Sequence, residues 1–126
     1  MNPYSVAQHV GRLRRMARRL DDKKLIEEQL AAETLCCAAL AIPDDEWRAI
    51  IHDTEETTVR HNLDTIQRAR LHLMDSDLNR RLAKSILCQA AQAIPDEAWG
   101  AIQTSLERLA AHDDAVTAAR SGAGLV

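Results

Sequence analysis

Three cysteines and five histidines are the side chains with the widest chemistry in this chain, and their spacing matches no common site. Cys36 and Cys37 are adjacent and Cys88 stands alone, so neither the Cys-x-x-Cys spacing of a zinc site nor the even cysteine number of a disulfide framework is present. No histidine follows an acidic residue by three positions, as the ligand helices of di-iron bundles require. We therefore predict neither a metal nor a cofactor, and we interpret the cysteines as small apolar fillers between packed helices.

Nucleophilic catalysis also lacks a matching pattern. No serine lies in a Gly-x-Ser-x-Gly elbow, and no glycine-rich phosphate loop is present. His52 beside Asp53 and His61 near Asp64 belong to a series of charged residues spaced four apart, which is typical of a solvated helix face. The sequence thus predicts that the protein is not an enzyme.

A cluster of arginines near the N-terminus is the strongest candidate for binding. Apolar side chains repeat at helical spacing over residues 3–20, and at about 100° per residue the arginines fall on the opposite arc. The cluster consists of Arg12, Arg14, Arg15, Arg18 and Arg19. An arc of this kind is suited to an acidic surface on a protein partner. The predicted partner-binding residues of the cluster are Arg12, Arg15, Arg18 and Arg19.

Two other interpretations of these arginines stay open. They could neutralise nucleic-acid phosphates, although the net charge of the chain is −3 and no aromatic residues accompany them for base stacking. They could also pair within the protein with Glu27, Glu28 and Glu33. Under the last interpretation the cluster is structural and binds nothing.

Trp47 and Trp99 are secondary candidates for the partner surface. Each lies one turn inside a predicted helix that opens with proline and acidic residues. An exposed tryptophan is a frequent anchor in binding interfaces, whereas a buried one would plug the core between helices. We favour the plug and keep the anchor as the alternative.

The composition predicts that helices position these residues. Phe is absent, glycines number only 4, and no long stretch alternates with period two, which together favour an all-α fold. Residues 35–50 and 87–102 are identical at 11 of 16 positions, at a spacing of 52. This repeat predicts a tandem duplication.

The duplication predicts one domain with two related units. Unit one covers about residues 3–54, unit two covers about 55–112, and a flexible tail follows at 120–126. Residues 43–74 contain no glycine, and their only proline is the first residue, so we predict one continuous central helix about 48 Å long. The expected fold is a bundle of about five helices, at 3–20, 22–41, 43–74, 77–93 and 95–118.

One face of the predicted central helix is polar where a buried face would be apolar. This face carries Thr54, Thr57, Thr58, His61, Asn62 and Thr65. Either the helix crosses open solvent between two lobes, which we favour, or a hydrogen-bonded polar seam is buried there.

Charge is unevenly distributed along the chain, and this asymmetry supports docking through charged helix faces. Residues 1–24 carry seven basic and two acidic side chains, whereas residues 25–64 carry two basic and ten acidic ones. No apolar run is long enough to cross a membrane, and the cysteine usage favours a reducing, cytoplasmic setting.

We therefore predict a non-catalytic helical module, an adaptor, inhibitor or other regulator, that docks on a protein partner through charged helix faces. The alternative is a nucleic-acid-binding regulatory protein that uses its first helix on phosphates. Homodimerisation through the related surfaces of the two units also stays open.

Overall fold

A computed structural model describes the backbone of residues 3–21 and 25–124, and the side chains of residues 3–21 and 29–112. Helices joined by short turns account for these residues, so the predicted all-α fold is confirmed. The helices are α1 (Pro3–Asp21), α2 (Leu25–Ala41), α3 (Asp44–Asp53), α4 (Thr57–Arg70), α5 (Asp77–Ala93) and α6 (Asp96–Gly124). The described part of the chain thus holds six helices where about five were predicted. None of them is both long and apolar enough to span a membrane.

The predicted continuous helix over residues 43–74 is wrong, because α3 and α4 are separate helices. Thr54 leaves the helical conformation with φ −84° and ψ 117°, and its hydroxyl donates to the carbonyl of Ile50 at 2.7 Å. Glu56 then starts α4, where its carboxylate accepts from the backbone N–H groups of Thr58 and Val59 at 3.1 and 2.8 Å. A carboxylate that satisfies two free N–H groups can begin a new helix without any glycine or proline.

The polar face predicted on that helix is not a buried seam. Three of its six side chains are exposed and the other three are half-buried. Thr57, Thr58 and His61 are the exposed ones, and Thr54, Asn62 and Thr65 the half-buried ones. The favoured alternative, a helix that crosses open solvent between two lobes, is also wrong, because α3 and α4 are separate helices and the two halves share one core.

A helix–proline–helix segment occurs twice with the same internal bond. A helical carbonyl normally accepts from the N–H four residues on, but for Ala39 that residue is Pro43, which has no N–H. The buried indole of Trp47 supplies the missing donor, with 3.0 Å from Nε1 to the Ala39 oxygen. The second segment repeats this bond between Trp99 and Ala91 at 3.1 Å. Each tryptophan therefore holds the end of one helix against the start of the next.

The two halves of the chain, residues 3–54 and 55–112, pack into one continuous core. The first helix of each half contacts the last helix of the other half, since α1 lies on α6 and α4 lies on α3. A Cβ on Gly11 of α1 would stand 2.9 Å from Nε2 of Gln103 on α6, so a larger residue there would displace the end of that side chain. At the far end, α6 remains helical to Gly124, through most of the segment predicted as a flexible tail.

Candidate partner-binding surface on helix α1

Helix α1 buries one face and leaves a polar stripe on the other. Its buried residues include Val6, Val10, Leu13 and Ala17, which repeat at helical spacing. The opposite arc, about 80° wide at 100° per residue, carries five exposed side chains that we call the arginine stripe. It consists of Tyr4, Gln8, Arg12, Arg15 and Arg19. Tyr4 is 58% exposed and adds an aromatic group that was not among the predicted partner-binding residues.

Arg14 belongs to the structure of the bundle and not to this stripe. Its Nε and Nη2 groups donate to the two carboxylate oxygens of Asp96 at 2.7 and 2.8 Å. This paired hydrogen bond holds the pKa of Asp96 below its ordinary value. Asp96 is the first residue of α6, where a negative charge also complements the helix dipole. The pair therefore fixes the middle of α1 against the start of α6.

Arg18 has an intermediate position. Its Nε lies 3.8 Å from the same Asp96 carboxylate, yet its side chain remains 67% exposed. At that distance the attraction is electrostatic and the guanidinium keeps its hydrogen-bond donors free for other acceptors. Arg18 can thus contribute to both the bundle and a surface.

The remaining predicted residues, Arg12, Arg15 and Arg19, form no ion pair with any side chain described by the structure. Glu33, one of the acids expected to pair with them, is bound instead by Lys84 of α5. The side chains of Glu27 and Glu28 lie outside the described residues. Like charges three and four residues apart on a helix repel one another. The stripe therefore carries positive charge that no described acid of this chain neutralises.

Neither Trp47 nor Trp99 lies on the surface, where a partner could contact it. Trp47 is 0% exposed and Trp99 is 1% exposed, and each indole N–H is already bonded to a backbone carbonyl. An exposed anchor is thus excluded in this fold, and the plug interpretation describes both residues. The reason is local, because the proline four residues before each tryptophan leaves a buried carbonyl that needs its indole.

An acidic groove lies between the α3–α4 turn and α6, at a place that no sequence motif marks. Its volume is about 410 Å³, its floor includes Val59 and Leu106, and its rim includes Asp53, Glu55 and Glu56. The acidic bias of residues 25–64 was the signal for negative charge, but only the packing of α6 adds the apolar floor. The protein therefore presents a cationic helix face and a separate acidic groove.

No family model, curated protein or solved structure matches this chain. Among the described residues, no three or more His, Cys, Asp or Glu side chains are grouped so that they could hold a metal ion. The functional interpretation therefore rests on the surfaces of the bundle.

Proposed function

We propose that this protein is a non-catalytic helical interaction module that docks through the arginine stripe of α1 on an acidic surface of a protein partner. The observation that carries the proposal is the exposure of Arg12, Arg15 and Arg19 on one arc without an acidic neighbour among the described side chains. An acidic partner removes the repulsion between these guanidinium groups and gains charge-assisted hydrogen bonds. The role of the module is that of an adaptor, inhibitor or other regulator.

A protein partner is favoured over nucleic acid by the charge of the whole molecule. Three free guanidinium groups neutralise few phosphates, so counterion release would contribute little affinity. The net charge is −3, and the acidic groove adds local repulsion toward a polyanion. Tyr4 stands at one end of the stripe, whereas single-strand binding uses successive aromatic side chains between the charges. Nucleic acid remains the second outcome that the experiment below must exclude.

We also infer that the two halves descend from a tandem duplication. The identity of 11 of 16 positions supports this origin. The bounds of α2 and α5, the starts of α3 and α6, and the indole bonds also recur at a spacing of 52. Two related halves could present related surfaces to a partner or to a second copy, so a homodimer is one assembly that the module could form. All three cysteines are free, which supports our assignment to a reducing, cytoplasmic setting.

Charge reversal of the stripe tests the proposal. The triple variant Arg12→Glu, Arg15→Glu and Arg19→Glu should retain the helical circular dichroism of the wild type, because these side chains are exposed. Its capture of partner proteins from the native host, quantified by mass spectrometry, should fall by about tenfold or more, as expected when several charge-assisted contacts are lost together.

The matched control has the same change in charge on other helices. It replaces the exposed residues Arg80, Arg81 and Arg108 with Glu and should capture the same proteins as the wild type. Equal capture by the stripe variant and the wild type would show that the arginine stripe is not the binding site. A gel-shift series with DNA and RNA at increasing salt identifies the alternative, since stripe-dependent binding that weakens steeply with salt would assign the surface to phosphates.

A further inference from the structure

Two cysteines from opposite halves of the chain meet between α2 and α5. Cys36 and Cys88 occupy equivalent positions of the repeat, 52 residues apart, on helices that contact each other, and each thiol shifts the pKa of the other. Cys36 is 5% exposed, whereas Cys88 is half-buried and packs at the edge of the core. The two cysteines thus lie on equivalent helices, α2 and α5, that pack against each other.

An ion pair beside the thiols holds the two helices in register. Lys84, one turn before Cys88 on α5, binds the carboxylate of Glu33, which lies about one turn before Cys36 on α2. Glu33, Lys84 and Cys36 also line a cavity of about 340 Å³. The ammonium group thus places positive charge next to the thiol pair, and the cavity admits a small molecule to its edge.

The environment makes the two thiols chemically different. Hydrogen bonding with the Cys36 thiol lowers the pKa of Cys88, and the charge of Lys84 acts in the same direction, whereas burial and the carboxylate of Glu33 raise it. The same hydrogen bond and then burial raise the pKa of Cys36. Of the two thiols, Cys88 is therefore the one that ionises more readily. A thiolate that lies partly exposed beside a second thiol is the arrangement in which oxidation is selective.

We propose that Cys88 and Cys36 form a peroxide-reactive thiol pair that closes to a disulfide between α2 and α5. In the first step, the Cys88 thiolate attacks one oxygen of hydrogen peroxide, the O–O bond breaks, and the departing hydroxide takes a proton from solvent to leave as water. Cys88 is then a sulfenic acid. In the second step, the Cys36 sulfur attacks the Cys88 sulfur, the S–O bond breaks, and the hydroxyl leaves with the Cys36 proton as a second water. The two thiols lose two electrons in total, and the peroxide gains them.

Thiol counting on the full-length protein tests this pair. The reduced chain has three cysteines and should take up three alkylating labels after unfolding. After treatment with hydrogen peroxide it should take up one label and remain a single chain on a non-reducing gel. Cys37, which is exposed and adjacent to Cys36, provides the matched control. Cys37→Ser should still lose both of its remaining thiols on oxidation.

Cys36→Ser should behave differently from this control. It should form no intramolecular disulfide, and its Cys88 sulfenic acid should be trapped by dimedone. Equal disulfide formation in Cys36→Ser and Cys37→Ser, or oxidation that gives only covalent dimers, would overturn the pair.

A second measurement needs no variant and therefore does not depend on the folding of any mutant. Trypsin leaves Cys36 and Cys37 on one peptide, so fragment spectra of the oxidised wild type must show whether Cys88 is linked to the first or to the second of them. A link to Cys36 supports the pair, and a link to Cys37 contradicts it. The proposal is independent of the arginine stripe and stands or falls separately from it.

Discussion

At the scale of single residues, each of the two tryptophans fills the core and also donates a hydrogen bond to a backbone carbonyl. Pro43 ends α2 and begins the next segment, but it leaves the carbonyl of Ala39 without its helical donor. A buried carbonyl without a donor costs free energy, and the Trp47 indole removes this cost while it fills the core. The pairing of proline and tryptophan at four-residue spacing thus has one physical reason in both halves of the chain.

Removal of the indole N–H should therefore destabilise the protein. We expect Trp47→Phe to lower the free energy of unfolding by about 1–3 kcal/mol, because the substitution leaves the Ala39 carbonyl buried and unpaired. Trp99→Phe should have a similar effect through Ala91. Urea unfolding measures both, and the wild-type emission should shift to the red on unfolding because both indoles start buried. A red-shifted emission from the folded protein would contradict this burial.

The Asp96 carboxylate should make part of the stability depend on acid pH. Its pKa is lowered in the fold, first by the hydrogen bonds from Arg14. A carboxyl group with a lowered pKa contributes its stabilisation fully above the unfolded-state pKa, about 3.9 for Asp, and loses it as pH falls through the folded-state pKa. Asp96→Asn should therefore be less stable than the wild type at pH 7, and this difference should shrink below about pH 4.

Glu97→Gln is the matched control for this change in pH dependence. Glu97 lies in the same first turn of α6, is exposed, and forms no ion pair among the described side chains. Urea midpoints at pH 7 and pH 3 should be nearly the same for this variant and the wild type. If Asp96→Asn and Glu97→Gln give the same midpoints at both pH values, the pair with Arg14 does not stabilise the fold.

At the scale of elements, the separation of α3 from α4 depends on a cap and not on a helix breaker. Thr57, Thr58 and Val59 are β-branched, and such residues have lower helix propensity than alanine or leucine. The low helix propensity of these residues favours a break, and the carboxylate of Glu56 then fixes where α4 begins, because it accepts from two N–H groups of the first turn. A helix cap can therefore interrupt a stretch that contains neither glycine nor proline in its interior.

Loss of the cap should destabilise the protein measurably. Glu56→Ala should lower the Tm by a few degrees, since an N-cap side chain contributes appreciably to helix stability. Glu55→Ala changes the same charge one residue earlier, where the side chain is exposed and makes no cap hydrogen bond. Thermal unfolding by circular dichroism should separate the two variants, and equal Tm values would show that the cap does not secure the turn.

At the scale of the whole molecule, the halves of the chain are interlocked. Arg18 and Arg14 of α1 face Asp96 of the other half, while Arg70 of α4 donates to Asp44 at 3.0 Å in the reciprocal position. Arg70 is only 7% exposed, so its charge depends on this carboxylate across the boundary. Each half therefore shares its core and these charge pairs with the other half.

Separation of the halves should therefore unfold both. Fragments 1–54 and 55–126 should each show low helicity and the red-shifted fluorescence of solvent-exposed tryptophan, because each lacks the helices that cover its core. An equimolar mixture should recover the helicity and the buried emission of the intact chain. Circular dichroism and fluorescence of the fragments, alone and mixed, measure this, and a fragment 55–126 that folds alone would contradict the interlocked packing.

The sequence by itself determined the helical class, the repeat, the helix boundaries at Pro43 and Pro95, and the amphipathic character of α1. These features depend on helix propensity, hydrophobic periodicity and the missing N–H of proline. Each acts over a few neighbouring residues and can therefore be predicted from the sequence. Tertiary packing alone decided which arginine met an acid, since Asp96 lies 82 residues from Arg14.

Tertiary packing likewise brings Cys36 close to Cys88 and gives the acidic groove its apolar floor. It also places the α3–α4 turn beside α6. In each of these cases, the energy of a side chain depends on what lies across from it, and that neighbour comes from a distant part of the chain.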